Sequence, residues 1–279
     1  MTEKSDVKSI IRFAAAELSD RNYAVTGSAS GIGKAVRDAL ADRGARVLGV
    51  DQRDAEVVTD LATAEGRTRA SSAITEWCDG TLHGLVTCAG IAGLPGRPAS
   101  LLVSVNYFGT VDLIEGLRGP LGAGSGAVVA ISSNSTTCQP GFSLDLVDAC
   151  LAGDEAAAGA VADQDESLVA YPATKTAIAR WIRRNATKPE WIGEGVRLNA
   201  LAPGLVETAL AVEQRNDPTI GPLVAMFPLP MGRGGKPEEI AQAADFLLHN
   251  SFCVGTVLLI DGGTEALLRP DAWPTRWEI

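Results

Sequence analysis

Two residues near the middle of the chain have the types and the spacing of an acid/base pair. Tyr171 and Lys175 lie four residues apart, so a helix over this stretch would bring the phenol and the ammonium to one face. A neighbouring cation stabilises a phenolate, and we therefore expect Lys175 to lower the pKa of Tyr171 from its ordinary value of about 10 toward the range of a general acid/base. Pro172 suits a first helical turn, which predicts that the helix begins here.

Polar residues on two other predicted elements could assist such chemistry. Ser132 and Ser133 follow an apolar run over residues 127–131 that predicts a strand, although serines at strand ends are also common turn residues. Asn106 lies inside a predicted helix over residues 100–117. Asparagine is a poor helix former, and a buried one must find partners. Its side chain either bonds to backbone or marks a kink that fixes a water molecule.

A glycine-rich loop near the start of the chain predicts an anion site. Residues 26–33 read TGSASGIG and lie between a short apolar run and a segment whose apolar residues recur at helical spacing up to Gly44. Glycines permit a tight turn and let backbone N–H groups approach a phosphate at a helix N-terminus. A plain strand-to-helix turn would have the same pattern, so the loop alone does not decide between the two.

The next predicted strand decides in favour of a dinucleotide. Residues 46–50 are followed by Asp51, about twenty residues after the glycines, where a carboxylate can accept hydrogen bonds from the adenosine ribose. The same carboxylate would repel a 2′-phosphate, so the sequence predicts NAD rather than NADP. Arg53 is the residue that could reverse this preference.

Two further strand ends are expected near the same edge of the sheet. A strand over residues 55–58 leads to Asp60 and Leu61, which could contact adenine, although an acid before a helix could equally be an N-cap. A strand over residues 85–88 runs into Ala89-Gly90, where small residues leave room for a flat ligand. Cys88 beside an apolar strand is interpreted as a buried, protonated thiol rather than a nucleophile.

Composition excludes several function classes. The formal charge of −10 argues against nucleic-acid binding. The chain has five cysteines without a CxxC pair, and its two histidines, His83 and His249, lie far from any serine or cysteine motif. These observations disfavour a metal site and a Ser-His-Asp hydrolase. A signal-peptide pattern and an uncharged apolar stretch of membrane-spanning length are both absent from the sequence, so we expect no membrane contact and a cytoplasmic location.

The 279 residues predict one α/β domain. Residues 1–20 precede the first strand and are interpreted as an N-terminal extension, and residues 21–279 as a single NAD-binding domain. A strand over residues 196–201, a helix over 237–248 and a strand over 256–260 complete the pattern. The segment over residues 205–231 is apolar and rich in proline, which is typical of a lid over a hydrophobic substrate or of a loop packed on the core or on a partner subunit.

Taken in order, these motifs resemble the short-chain dehydrogenase/reductase family. The resemblance runs from Tyr23 to Gly263. It implies a single-domain Rossmann fold with a seven-stranded parallel sheet, helices on both faces, and reversible hydride transfer between NAD and a carbonyl or alcohol. It also implies catalytic roles for Tyr171 as acid/base, Lys175 as its activator, Ser133 as the donor to the substrate oxygen and Asn106 as the anchor of a water. The cofactor-binding residues that it implies are Gly27, Ser30, Gly31, Ile32, Gly33, Asp51, Asp60, Leu61, Ala89, Gly90, Tyr171, Lys175, Pro203, Gly204, Val206 and Thr208.

The chain departs from the family pattern in three places, the first of which is the additional segment over residues 1–20. Cys88 stands where an asparagine is usual. The interval between Ser133 and Tyr171 is much longer than usual, and the additional residues, about 139–169, are alanine-rich and carry seven acids and no base. They are interpreted as a helical insertion, with a mobile acidic loop as the alternative.

The insertion is similar to that of family members that act on steroids. The resemblance implies a hydroxysteroid or a bulky hydrophobic ketone as substrate, with an aromatic dihydrodiol or a terpene alcohol as alternatives. It also implies a homodimer formed through the last helix and strand. A non-catalytic, NAD-sensing regulator on the same fold is the alternative from another class.

Overall fold

The computed structural model describes residues 18–272 and is organised around a parallel sheet of seven strands within that range. The strands are β1 (Asn22–Thr26), β2 (Arg46–Asp51), β3 (Val57–Val58), β4 (Gly84–Thr87), β5 (Ala127–Ile131), β6 (Arg197–Pro203) and β7 (Val257–Ile260). Their order in the sheet is β3-β2-β1-β4-β5-β6-β7. The chain leaves β1 in one direction and crosses back to β4 on its other side, which creates a topological switch point at the carboxyl ends of these two strands.

Helices cover both faces of this sheet, as predicted. They are α1 (Gly31–Ala41), α2 (Ala64–Trp77), α3 (Ala99–Leu102), α4 (Gly109–Gly116), α5 (Arg118–Ala123), α6 (Ser135–Cys138), α7 (Leu144–Ala152), α8 (Glu155–Ala162), α9 (Ser167–Asn185), α10 (Ala209–Asn216), α11 (Gly221–Ala225), α12 (Pro237–His249) and α13 (Thr264–Leu268). On one face, Val36 and Leu40 of α1 pack with Ile240 and Leu247 of α12. The other face is covered mainly by α2, α4 and α9.

Burial explains why the central strands are nearly continuous apolar runs. Every residue of β1, β4 and β5 is buried, as expected for parallel strands with helices on both faces. The edge strand β7 differs, because all four of its residues are only partly buried. The single-domain Rossmann fold is therefore confirmed. The proposed boundary after residue 20 remains a prediction, and residues 1–17 of the N-terminal extension lie outside the described residues.

The helix predicted over residues 100–117 is interrupted by a π-helical segment. Val103–Phe108 forms this wider turn between α3 and α4. Such segments insert an extra residue into a helix and often occur at functional sites. Asn106 lies within it and is completely buried. The π-helical turn is the irregularity that the structure shows at Asn106, while a role in fixing a water remains a prediction.

The residues before Tyr171 form helices, which confirms the helical interpretation of the insertion. Ser143 caps α7 by accepting from Leu146 N, and Asp154 caps α8 by accepting from Ala157 N. The insertion is anchored by Arg67, which is buried on α2 and pairs with Glu155 of α8 and with Asp112 of α4. The insertion therefore packs as part of the domain.

The start of α9 corrects one prediction. The helix begins at Ser167, one turn before Tyr171, and Pro172 lies inside it. The N-terminal turn is assembled by contacts with distant residues, which the local sequence pattern does not reveal. No helix within residues 18–272 combines the length and apolar composition needed to cross a membrane.

Candidate active site

The glycine loop forms a close backbone turn at the start of α1. Gly27 has a φ of +65°, in the left-handed region that favours glycine. A Cβ on Gly33 would lie 2.2 Å from the carbonyl oxygen of Gly27, so any side chain there would push the loop off the helix. The turn directs the N-terminus of α1 into a cavity of about 260 Å³ at the switch point. Backbone N–H groups and the helix dipole favour an anion in that place.

Asp51 at the end of β2 is fixed beside this loop. One carboxylate oxygen accepts from Ala29 N at 3.0 Å and the other from Gln52 N at 2.7 Å. The carboxylate lines the same cavity. Arg53, by contrast, is exposed and does not line it, so nothing in the structure gives Arg53 the phosphate-binding role considered from the sequence.

Asp60 and Leu61 line the far end of the same cavity. Asp60 Oδ1 accepts from Ala62 N and from the amide of Gln52, each at 2.9 Å. The N-cap of α2 is Thr63, whose hydroxyl accepts from Gly66 N. The N-cap alternative for Asp60 is therefore wrong, and its carboxylate is held in the cavity wall.

Asn106 joins the π-helical turn to the loop after β4. Its Oδ1 accepts from Ile91 N at 2.8 Å, and its Nδ2 donates to Ile91 O at 3.1 Å. A Cβ on Gly90 would lie 3.1 Å from that Oδ1 and 3.5 Å from Lys175 Nζ. The backbone-bonding account of Asn106 is thus present in the structure, and it fixes the loop that borders both Lys175 and the cavity.

Lys175 is held beneath Tyr171 by the end of β5. Its Nζ donates to Ile131 O at 2.9 Å and lies 5.9 Å from the centre of the Tyr171 ring. The backbone of the same lysine accepts from the hydroxyl of Ser132 at 2.8 Å. The hydroxyl of Ser133 lies close enough to the phenol of Tyr171 to lower its pKa, and Ser133 Oγ accepts from Ser135 N at 3.1 Å. Strand β5 and helix α9 therefore bring the serine, the phenol and the ammonium together.

The electrostatics of this group differ from the expectation. Burial raises the pKa of Tyr171 above 10, opposed by the nearby hydroxyl of Ser133, so the predicted lowering by Lys175 is not found. Burial also lowers the pKa of Lys175 from 10.5 to about 8. The physical reason is that both groups lie in a poorly solvated site and the ammonium donates to Ile131 O rather than to the phenol.

Cys88 is partly buried rather than fully buried, and its thiol is protonated as predicted. Burial raises the pKa of its thiol to about 12, so the thiol is protonated at neutral pH. All five cysteines are free. Among residues 18–272, no group of His, Cys, Asp and Glu side chains is arranged to hold a metal ion.

A second cavity of about 390 Å³ adjoins the first and contacts it at Tyr171. Its wall includes Leu205, Leu223 and Phe227 from the apolar segment that was predicted to be a lid. Part of that segment is helical, as α10 and α11. Ser133 lies in the wall of this second cavity.

The predicted cofactor residues divide between the two cavities. The first cavity is lined by all of them except Pro203, Gly204 and Val206, which line the second. Asn106 lines neither cavity and acts on the wall through Ile91. Sequence reasoning missed several lining residues because they have no motif of their own, namely Gln52, Thr59, Ile91, Gly93, Gln139, Leu168 and Gln214. Gln52 could have been inferred from its position directly after Asp51.

Comparisons with known proteins agree with this geometry. Residues 21–143 match the family model described as short chain dehydrogenase, and residues 155–265 match that described as Enoyl-(Acyl carrier protein) reductase. The chain is 37% identical over 252 residues to the 3-alpha-hydroxysteroid dehydrogenase/carbonyl reductase of Comamonas testosteroni, covering 88% of this chain and 97% of that protein. The chain therefore belongs to the short-chain dehydrogenase/reductase family and is an oxidoreductase similar to that enzyme.

Two further relatives extend the comparison. The crystal structure of the 3-alpha-hydroxysteroid dehydrogenase from Pseudomonas sp. B-0831, complexed with NADH, is 44% identical, with a TM-score of 0.86 over 90% of this chain and 100% of that one. The cis-4-hydroxycyclohexanecarboxylate dehydrogenase of Sinomonas cyclohexanicum is 31% identical over 286 residues, covering 89% of this chain and 98% of that protein. The family likeness and the resemblance to steroid-active members are confirmed.

Proposed function

We propose that this protein interconverts a secondary alcohol and a ketone with NAD(H), on a hydroxysteroid or a similarly bulky hydrophobic substrate. The observation that carries the proposal is that Tyr171 borders both cavities and that Ser133 lies with it in the wall of the larger one. A proton donor at that boundary can reach a substrate oxygen in the larger cavity while a cofactor lies in the smaller one.

The smaller cavity has the chemistry that NAD(H) requires. Its glycine turn leaves no room for a Cβ on Gly33, so backbone N–H groups can approach a pyrophosphate at the N-terminus of α1. Asp51 would accept from the adenosine ribose and disfavour a 2′-phosphate, while Asp60 and Leu61 would contact adenine. Toward the substrate, Pro203, Gly204, Val206 and Thr208 would contact the nicotinamide. A bound nicotinamide supplies or accepts the hydride.

The chain's own residues would manage the proton. In the reductive direction Tyr171 donates a proton to the carbonyl oxygen, and in the oxidative direction it removes the proton from the alcohol. Ser133 donates a hydrogen bond to the same oxygen. Lys175 would hold the nicotinamide ribose, and Asn106 would anchor the water that returns the proton from solvent. These four side chains are the proposed catalytic set.

The substrate class follows from the larger cavity and from the relatives. A volume of about 390 Å³ with walls from Leu205, Leu223 and Phe227 suits a rigid hydrophobic molecule. A relative that is 37% identical is named for 3-alpha-hydroxysteroids and carbonyls. A second relative is named for a hydroxycyclohexane carboxylate, which favours smaller cyclic alcohols as the second candidate class.

The proposed assembly is a homodimer formed through the last helix and strand, in the cytoplasm and without nucleic-acid or membrane partners. The support is a partly buried edge strand β7 beside exposed apolar side chains, Phe252, Leu267 and Leu268, of which Phe252 is 96% exposed. Light scattering should give about twice the chain mass of 29.0 kDa. A mass near that of one chain would contradict the dimer.

A substrate screen with both cofactors tests the function. Purified protein would be assayed with 3α- and 3β-hydroxysteroids, substituted cyclohexanols, dihydrodiols, terpene alcohols and linear alcohols, each with NAD and with NADP, by absorbance of the reduced cofactor. We expect the highest kcat/KM for a 3-hydroxysteroid with NAD. A clear preference for a cyclohexanol would select the second class, and no turnover with any alcohol or ketone would contradict the proposal.

A further inference from the structure

The catalytic helix contains a proline at a position where a helix normally forms one of its own hydrogen bonds. Pro172 follows Tyr171 inside α9, which begins at Ser167. Proline has no backbone N–H, so the carbonyl oxygen of Leu168, four residues earlier, lacks its intrahelical donor. An unpaired carbonyl at such a position usually allows the helix to bend. The turn that carries Tyr171 is therefore weak in its own backbone bonding.

A side chain from outside the helix takes the place of the missing donor. The amide of Gln139 donates to Leu168 O at 3.1 Å. Gln139 follows α6 and stands where the insertion begins, and both it and Leu168 line the larger cavity next to Tyr171. The bond crosses from the strand β5 side of the site, where Ser133 lies, to the helix that carries the phenol.

The first turn of α9 is held from its other side as well. The hydroxyl of Ser167 donates to Leu94 O at 2.7 Å and accepts from Leu94 N at 3.0 Å. A Cβ on Gly93 would lie 2.4 Å from Ser167 O, so this loop contacts the helix backbone directly. Gln139 is thus the support on the Ser133 side, and the loop after β4 is the support on the opposite side.

We propose that Gln139 is a positioning residue for Tyr171. By bonding the carbonyl that Pro172 leaves unpaired, Gln139 keeps the turn around Tyr171 straight and holds the phenol within hydrogen-bonding reach of Ser133. The inference rests on the proposed function, in which Tyr171 exchanges a proton with the substrate oxygen. It gives the start of the insertion a role in the reaction geometry and explains how a proline is accommodated beside the acid/base residue.

Four proteins test this role by a mutant cycle: the wild type, Q139L, P172A and Q139L/P172A. Q139L removes the donor, and we expect kcat to fall about tenfold with a smaller change in KM, since a misplaced acid/base group affects the chemical step. P172A restores an N–H at residue 172 that can bond Leu168 O. In that background the same Q139L change should cost less than about twofold, because Gln139 has become redundant.

One additional readout and one matched control variant separate a positioning role of Gln139 from a general structural effect. The pH dependence of kcat should shift in Q139L, because the proximity of Ser133 lowers the pKa of the phenol, and it should return to that of the wild type in Q139L/P172A. The matched control is Q164L. Gln164 lies in the insertion just after α8, where its amide donates to Ala160 O at 3.4 Å, and it lines neither cavity. Q164L should keep the wild-type kcat and pH profile.

The outcomes distinguish this inference from the proposed function. Equal losses from Q139L in the wild-type and in the P172A background would mean that Gln139 acts by touching the substrate. A Q139L enzyme with wild-type kcat and pH profile would mean that it does not act at all. Either result overturns the positioning role while the enzyme remains active. A wild type that turns over no alcohol or ketone would instead overturn the proposed function, and the inference with it.

Discussion

The two cavities that meet at Tyr171 are built in different ways. The smaller cavity is walled by a backbone turn and by the carboxyl ends of β1, β2 and β4, and Asp51 is held there by backbone N–H groups. The larger cavity is walled mainly by side chains from three separate segments: the residues after β5, the first turn of α9, and residues 203–227. The shape of the smaller cavity, proposed for the cofactor, is therefore set by the sheet itself. The shape of the larger cavity, proposed for the substrate, depends on how the insertion and residues 203–227 pack.

Removing the phenol of Tyr171 should have the largest effect, because that side chain belongs to both cavities. We expect Y171F to lower kcat by about a thousandfold, the magnitude typical of losing a general acid/base. NADH binding should remain within about twofold of the wild type, since the aromatic ring is kept and the glycine turn is untouched. Steady-state turnover and titration of NADH fluorescence measure the two quantities.

A parallel loss of turnover and of NADH affinity in Y171F would contradict the separate roles of the two cavities. A Y171F protein that lost NADH affinity in proportion to its activity would show that the phenol serves the cofactor cavity alone. A protein with unchanged turnover would remove Tyr171 from the proton transfer. The wild type under identical conditions is the reference for both.

The contrast between the cavities also explains which parts the sequence predicts. The glycine turn, Asp51 and the Tyr171–Lys175 pair are recognisable because each follows from local spacing or from its place at a strand end. The pKa directions of Tyr171 and Lys175 are not predictable in this way, because they depend on burial between β5 and α9. The same holds for Gln139, whose partner Leu168 is distant in sequence. Such contacts are set by tertiary packing.

Replacing Asp51 should act on the smaller cavity only. D51A removes the carboxylate that accepts from Ala29 N and that would repel a 2′-phosphate. We expect the ratio of kcat/KM for NAD to that for NADP to fall by about tenfold or more. This is the magnitude expected from the loss of one or two hydrogen bonds to a charged group. D51N, which keeps an acceptor without the charge, is the matched control and should fall less. A wild type that already prefers NADP would contradict the role of Asp51.

Lys175 gives a pH-dependent test at the junction of the cavities. The lysine pKa falls from 10.5 in the unfolded chain to about 8 in the fold, so between these values the unfolded state binds more protons and stability rises with pH. We expect the wild type to gain about 1 kcal/mol of unfolding free energy relative to K175M between about pH 8 and pH 9. Denaturant unfolding at each pH measures this difference. The contributions of the cysteines and tyrosines to the pH dependence are common to both proteins and cancel. A constant difference would mean that Lys175 is not desolvated.

The smallest expected effect concerns the substrate side alone. Arg97, in the loop after β4, pairs with Glu213 of α10 at 3.0 Å, so the pair joins two segments that both contribute residues to the wall of the larger cavity. Glu213 is 48% exposed, so the pair contributes no more than about 1 kcal/mol and is screened by salt. We expect E213Q to raise KM for the alcohol about two- to threefold without changing kcat or the affinity for NAD.

The matched control for this last test lies on the same helix. Arg215 pairs with Glu207, and that pair stays within the segment after β6 instead of joining it to the loop after β4. R215Q should therefore leave KM unchanged, and added salt should bring the KM of the wild type toward that of E213Q. Equal changes in R215Q and E213Q would mean that α10 responds to any loss of charge. In that case the packing of Leu210 and Ala211 into the cavity wall, and not the ion pair, would fix the position of α10 beside the larger cavity.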